Sequence, residues 1–416
     1  MIFDYNFNSN DLLIFLDRYV NDGSPSGFTE QYKTSEDTDP FGTKKSFNLF
    51  FTDINKEDFY TYPLNSEIEN PLLDGKFYFH PDMKNHSDLA KYTLREDTRF
   101  SVSPTSSFRT VKILSETNSD YIKLHYDGII GRINRKLTEK KAIAGVEISN
   151  MIKLGIDNGI FSDFFCILEE SNALIFNTSK TSNEDKSWGM VIRKEKPYGK
   201  NADKIKYIVP LFSFWSKDRM NPNKTILGEL LLKQWGRDAK YNYITKILIP
   251  ILDFYFEPLV KLGFQNEYNA QNLLIGFDSD FKNTFIINRD MMGIEKDLPL
   301  RQGLNLSLDF DSYPYKTLKI EDYLYYIRHS FAFDFKACHY VLLPLINIAV
   351  NCKIANYDEL LHLLRERTCF WVNQLPENFF PKNKWYSHEK VLLTIKQDRK
   401  YIENNTSGHL NQNNVL

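Results

Sequence analysis

Near residue 205 the hydrophobic pattern of this 416-residue chain changes period. Upstream, the apolar runs are short and strand-like: "KFYFHPDM", "DFFCILEE", "NALIFNT" and "WGMVIRKE". Downstream, "ILGELLLKQWGRDA" and "NYITKILIPILDFYFEPLVKLG" repeat their apolar residues at helical spacing, the second closing on Gly263 as a C-cap signal. One chain carrying both periods has to be α+β, and its length exceeds what one ordinary core accommodates. The expected organisation is an N-terminal region over 1–75, a mixed, β-rich domain over 76–205, and a mostly helical domain around a small sheet over 206–416.

Within these parts, "NDGSPSGFTEQYKTSEDTDPFGTKK" reads as loop, and "KKAIAGVEISNMIKLGIDNG" as a helix ending at Asn158-Gly159. A solvent loop, "SKTSNEDKS", separates two of the strands. Further helices are expected over "EDYLYYIRHSFAFDFKACHYVLLPLINIAV" and "YDELLHLLRERTCFWV", and the polar tail "ENNTSGHLNQNNVL" should fray. No repeat of solenoid length is present.

Charge and composition exclude several functions. A formal charge of -2 gives no electrostatic case for nucleic acid or an anionic membrane, so a small molecule is the default ligand. The N-terminus lacks the basic and apolar regions of a secretory signal. Even the most apolar helical stretch carries Lys246, Asp253, Glu257 and Lys261, so no membrane span is expected and the protein is expected in the cytoplasm. Cys166, Cys338, Cys352 and Cys369 are far apart without CxxC pairing, which fits reduced, mostly buried thiols.

Three clusters carry residue types suited to chemistry. "SPTSSFRTVKIL", followed by "YIKLHYDGIIGRINRKL", sets hydroxyls and Arg109 beside a strand, with Lys123 and Arg135 adding positive charge. Such a set binds phosphate through amides, hydroxyls and a guanidinium fork, although a Ser/Thr-rich turn is by itself only a turn. In "EYNAQNLLIGFDSDFKNTFIINRDMMG", two strands would place Asn272 and Asp290 at one end of a hairpin. An amide oxygen and a carboxylate so placed can share Mg²⁺ on nucleotide phosphates; an Asx-capped hairpin would show the same residues. In "WGMVIRKEKP", Arg193 ends an apolar run and could hold a carboxylate bidentately or simply be solvated.

Taken in order, these segments resemble the aerobactin-synthetase type of NRPS-independent siderophore (NIS) synthetases. "FHPDM" stands for the family's HPWQ-like element, "SSFRTV" for S-x-R-T, and "IKLHYDGIIGRINRKL" for K-L…R-x-L. "MVIRKEKP" stands for RE-P, "GFQNEYNAQNLLI" for G…E-x-H-x-Q-N, and "INRDMMG" for R-D-x-x-G. The resemblance covers roughly residues 76 to 350 by eye. It implies a cupped hand of thumb, fingers and palm, the palm distantly kinase-like and the thumb, over 1–75, reduced. It also implies an ATP- and Mg²⁺-dependent ligase joining a small carboxylic acid to an amine or alcohol through an acyl-adenylate. By position, Ser107, Arg109, Lys123 and Arg135 would contact phosphates, with Arg109, Lys123 and Arg135 acting in catalysis. Gln271 and Asn272 would bind nucleotide, Glu267, Asn272 and Asp290 would hold Mg²⁺, and Arg193 and Asn269 would face the acid.

Two departures from the family pattern bear on substrate and assembly. The histidine of E-x-H-x-Q-N is Asn269 here, which can hydrogen-bond a carboxylate but cannot carry a charge at neutral pH. The family's upstream HP-x-HP-x-x-K segment has no counterpart before "FYFHPDM", which could mean an opened site, a different acceptor, or a homo-oligomer or partner protein that completes the N-terminal region. The alternative function is a catalytically weak binding or scaffold protein that keeps the fold. A kinase-like phosphotransferase is disfavoured by the lack of a GxGxxG loop and an HRD segment.

Overall fold

The computed structural model describes residues 9–22, 34–55, 57–64, 70, 72–130, 133–177, 187–266, 268–306 and 331–376, together with the short strands at 384–385 and 402–403. The expected loop 178–186, the first part of the helical stretch beginning at residue 321, the tail and Glu267 lie outside the described residues.

Helix α1 (Ser9–Tyr19) opens the described chain. Strands β1 (Phe50–Asp53), β2 (Phe59–Tyr62), β3 (Lys76–Phe79), β4 (Ser101–Pro104), β5 (Thr110–Leu114) and β6 (Tyr121–Lys123) follow. After α2 (Glu139–Asp157) come β7 (Phe165–Ile167), β8 (Glu170–Asn177), β9 (Ser187–Arg193) and β10 (Tyr207–Pro210). Helices α3 (Leu227–Trp235) and α4 (Ile249–Leu262) lead to the hairpin of β11 (Leu273–Phe277) and β12 (Thr284–Asn288). Helices α5 (Leu343–Asn351) and α6 (Tyr357–Val372) complete the core. The fold is α+β.

A six-stranded antiparallel sheet has the order β2-β8-β9-β6-β5-β4. Its central strands are buried on both faces. On β8, Ala173 and Ile175 meet Ala142, Ile143 and Val146 of α2, while Leu174 and Phe176 face an aromatic core with Phe59, Phe77, Phe79 and Trp188. Phe59 and Phe176 stack there at 4.5 Å, which is where much of the aromatic content goes.

The second sheet has the order β7-β12-β11-β10. Strand β7 runs parallel to β12, with Phe165 opposite Ile286, while β11 and β12 form the expected antiparallel hairpin, Leu273 opposite Asn288. Strands from both sides of residue 205 therefore share one sheet. Helix α4 backs this sheet with Ile251, Leu252, Phe254 and Phe256, and ends at Gly263 with φ +60°, a backbone region that a Cβ disfavours. Its upstream turns, Ile244–Leu248, are wound as a π-helix within the expected helical stretch. Helix α2 ends at Asn158 and Gly159 as expected.

In "YIKLHYDGIIGRINRKL" only Tyr121–Lys123 joins the large sheet, and Ile129–Ile130 pairs with Ile133–Asn134 in a small hairpin. All four cysteines are free; Cys166 and Cys338 are buried and Cys369 is exposed. No helix among the described residues is long and apolar enough to cross a membrane.

Candidate functional site

The turn between β4 and β5 carries the first group of side chains. Thr105 Oγ1 donates to the Thr110 carbonyl at 2.7 Å, and Ser107 Oγ accepts from the Thr110 amide at 3.2 Å. Phe108, between them, has φ +66°, a left-handed conformation rare for a bulky residue and of the kind concentrated at functional turns. Arg109 is thereby directed inward, where it is 7% exposed and donates through Nη1 to the carbonyl of Arg135 at 2.6 Å. Burial pulls its pKa down to about 10, and the nearby Arg135 and Arg193 add to that against the pull of Asp290 and Glu170.

The β11–β12 hairpin carries the second group. Asn269 Oδ1 accepts from the amides of Gln271 and Asn272, both at 3.0 Å, so this side chain builds the turn that enters β11. That oxygen is engaged by backbone, leaving Nδ2 as the atom it can offer an acid. The Arg289 amide donates to the Asn272 carbonyl at 3.0 Å, which puts Asn272 and Asp290 at the same end of the hairpin, as expected. Gln271 Nε2 reaches Ser106 Oγ at 3.2 Å and links hairpin to turn.

Lys123, at the end of β6, joins both groups. Its Nζ lies 2.7 Å from Asp290 Oδ1 and 3.5 Å from Glu170 Oε1. Arg193, at the end of β9, donates through Nη2 to the same Glu170 oxygen at 2.8 Å. Burial lowers the Lys123 pKa against the opposing pull of Asp290 and Glu170. Burial alone would raise that of Asp290, but Lys123, Arg193 and Arg109 hold this carboxyl well below the usual carboxylate range. Asp290 is therefore ionised, a quarter exposed, and turned to solvent where a ligand would enter.

Glu170 and Asp17 were not singled out in the sequence, and Arg289 only as the arginine of "INRDMMG", without a role; all three belong here. Glu170 is fully buried, and its Oε2 has no hydrogen-bond partner among the described residues. It fits because Gly145 of α2 faces it: a Cβ there would stand 2.3 Å from that oxygen. Arg289 pairs through Nη2 with Asp17 Oδ1 of α1 at 2.7 Å. The only local hint was an aspartate four residues after Leu13 on an otherwise apolar helix face.

Ser107, Arg193, Gln271, Asn272, Arg289 and Asp290 line one cavity, with Leu13, Tyr121 and Leu168 as its apolar wall. Four basic side chains, Arg109, Lys123, Arg193 and Arg289, stand at or just behind it with three acidic ones, Asp17, Glu170 and Asp290. Arg135 adds a further basic side chain, half-buried, its Nε enclosed and without a partner among the described residues. The surplus of positive charge suits a polyanion. Among the described residues no group of three His, Cys, Asp or Glu side chains could hold a metal ion. Asp290 and Asn272 supply two oxygen donors, which fits Mg²⁺ that arrives on phosphates and needs only one or two protein ligands.

No protein-family model and no curated protein sequence matches this chain. Solved structures do match. Petrobactin biosynthesis protein AsbB from Bacillus anthracis str. Sterne aligns at a TM-score of 0.66 and 14% identity, over 89% of this chain and 68% of that one. Aerobactin synthetase IucC from a hypervirulent pathotype of Klebsiella pneumoniae gives 0.66 and 14%, over 89% and 70%. ATP-bound aerobactin synthetase IucA from the same source gives 0.64 and 14%, over 86% and 68%. At this identity the likeness is one of fold, and that fold is the one the ordered motifs pointed to.

Proposed function

We propose that this chain, which has the fold of the siderophore synthetases, is an ATP-dependent ligase of siderophore or related natural-product biosynthesis. The observation that carries the reading is the gathering of Arg109, Lys123 and Arg193 about Glu170 and Asp290, beside the cavity where the turn meets the hairpin. In the finer architecture of this reading, residues 206–416 form a distantly kinase-like palm, 76–205 the fingers, and 1–75 a reduced thumb.

In the proposed reaction a substrate carboxylate oxygen bonds to the α-phosphorus of ATP and pyrophosphate leaves. An amine or alcohol then attacks the acyl carbon, AMP leaves, and the nucleophile loses its proton. Ser107, Arg109, Lys123 and Arg135 serve as phosphate contacts, stabilising charge that grows on the phosphoryl oxygens. Gln271 and Asn272 meet the nucleotide. Mg²⁺, held by Asp290 and Asn272, would supply charge neutralisation to the phosphates. Arg193 is tied to Glu170, so it offers an acid substrate its remaining N–H groups rather than a free guanidinium fork. Asn269, uncharged and partly engaged in its turn, favours an acid with fewer charges than citrate, because each unpaired carboxylate brought into the site carries a desolvation penalty.

The test is a melting curve with ATP, Mg²⁺ and both. Ligand at about a hundredfold over its dissociation constant should stabilise the protein by about 2.7 kcal/mol. A screen of acids for pyrophosphate release with ATP, Mg²⁺ and hydroxylamine then reads turnover. No shift and no turnover would favour the scaffold alternative.

A further inference from the structure

Helix α1 comes from the part of the chain expected to be reduced, yet its last turn reaches the site. Asp17 is 1% exposed. Its Oδ2 accepts from the Ser106 amide at 2.8 Å, and its Oδ1 accepts from Ser106 Oγ at 3.1 Å and from Arg289 Nη2 at 2.7 Å. Ser106 belongs to the β4–β5 turn that carries Ser107 and Arg109; Arg289 belongs to the hairpin that carries Asn272 and Asp290. A single carboxylate thus spans the joint between the two sheets.

Asp17 is itself fixed from behind. The neighbouring Arg18, also buried, donates to the carbonyls of Pro40, Gly42, Lys44 and Lys45 at 2.7 to 3.2 Å. Asn21 Nδ2 closes the helix end on the Asp17 and Arg18 carbonyls at 3.2 and 3.0 Å. Leu12 and Leu16 pack into the main core, while Leu13 lies on the cavity wall. The carboxylate therefore has little freedom to follow the turn or the hairpin; they have to follow it.

We propose that Asp17 is a positioning residue: it sets the spacing between the Ser106–Arg109 turn and the Arg289–Asp290 end of the hairpin, so that both present their donors to one ligand. It does not line the cavity and acts through Ser106 and Arg289. Its bearing on turnover rests on the ligase reading; its bearing on geometry does not.

The experiment has two arms, using Asp17→Ala, the isosteric Asp17→Asn, and Arg289→Gln in the full chain. Hydrogen exchange of the ligand-free protein reads the geometry. Asp17→Ala should speed exchange at Ser106 by at least about tenfold, because the amide loses its acceptor, with peptides from α6 unchanged. Asp17→Asn, which keeps an acceptor but loses the charge, should fall between. Unchanged exchange at Ser106 in a folded Asp17→Ala protein overturns the proposal whatever the site binds. Kinetics read the consequence: kcat should fall on the order of a hundredfold in Asp17→Ala, the loss expected of a misplaced reacting group, with KM for ATP within about threefold. Asp17→Ala/Arg289→Gln should lose less than the product of the two single losses, since the variants share the Asp17–Arg289 contact. Independent, multiplying losses would overturn the proposal. A wild type that neither binds nor uses ATP defeats the ligase reading, and the exchange arm still decides the role of Asp17.

Discussion

The ammonium of Lys123 lies 2.7 Å from a carboxylate oxygen of Asp290, 167 residues away in sequence. Arg109 immediately precedes the adjacent strand, its carbonyl accepting from the Leu124 amide at 2.9 Å, yet its guanidinium donates to a backbone carbonyl and forms no ion pair among the described residues. The two cations share a site but stand in opposite relations to stability. Lys123 neutralises the fully buried Glu170 and the partly exposed Asp290, whereas Arg109 is a buried charge held for something else.

Replacing each by methionine should separate these roles. Lys123→Met leaves Glu170 and Asp290 short of a cation and should cost about 3 to 5 kcal/mol, the usual penalty for breaking a buried pair. Arg109→Met should melt at or above the wild-type temperature while losing the response to ATP with Mg²⁺. Arg135→Ala should likewise fold and fail to turn over. Denaturant titration with the ligand melt checks all three; an unfolded Arg109→Met protein would mean that its charge is structural.

Gly145→Ala should be costly for a helix-favouring change. The added Cβ would meet Glu170 Oε2 at 2.3 Å and Met292 Cγ at 3.0 Å, and the carboxylate that must move is the one holding Lys123 and Arg193. Overpacking of this kind costs about 1 to 3 kcal/mol. A wild-type denaturation midpoint would show that Glu170 has room to withdraw.

Stability should also fall with acid in a defined window. His125 is 3% exposed, donates its Nδ1–H to the Leu137 carbonyl at 3.0 Å and stacks on Trp188 at 4.2 Å. Burial lowers its pKa from 6.5 to about 4, and His80 is lowered to about 4 for the same reason. Both bind a proton in the unfolded chain before they do in the folded one. Their stabilisation is therefore complete above pH 6.5 and declines as pH falls toward 4. His125→Asn should flatten that decline by up to one proton, about 1.4 kcal/mol per pH unit, in denaturation followed by circular dichroism. An equal slope in the variant would refute the assignment.

Asn269→His should fold as well as wild type, because an imidazole Nδ1 can replace the amide oxygen of the turn. The chain already uses this device twice: His80 Nδ1 accepts from the Asp82 amide at 3.3 Å and His86 Nδ1 from the Asp88 amide at 3.2 Å. Asn269→Ala, with no acceptor, should lose about 1 kcal/mol. Free citrate should be a poor substrate for wild type and a better one for Asn269→His. Efficient wild-type use of citrate in the hydroxylamine assay would contradict this.

What the sequence disclosed about the site was its local part. The hairpin that aligns Asn272 with Asp290 was readable because two apolar runs flank a polar turn, and the C-cap of α2 because Gly159 follows the last periodic residue. Glu170 and Asp17 were not readable, since their meaning lies in Arg193 and Arg289, 23 and 272 positions away. Arg193 pointed toward a carboxylate, and the one it meets belongs to the chain itself. The pattern change near residue 205 was real, but the parallel pairing of β7 with β12 across it leaves no periodic trace, because both strands are buried and simply apolar.

The dependence of α1 on distant partners has a consequence for biosynthesis. Its end strand, Val20–Asp22, pairs with Lys217–Asp218, and Asp17 waits for Arg289, 272 residues later. At about 5 to 20 residues per second, translation delivers that partner roughly 14 to 54 seconds after the helix. The six strands of the large sheet, by contrast, are all made by residue 193. During synthesis the large sheet can therefore close while α1, with Leu12, Leu13 and Leu16 on its apolar face, is still without its docking surface. That interval leaves the apolar face of α1 exposed, and a ribosome pause between β9 and β12 would lengthen it.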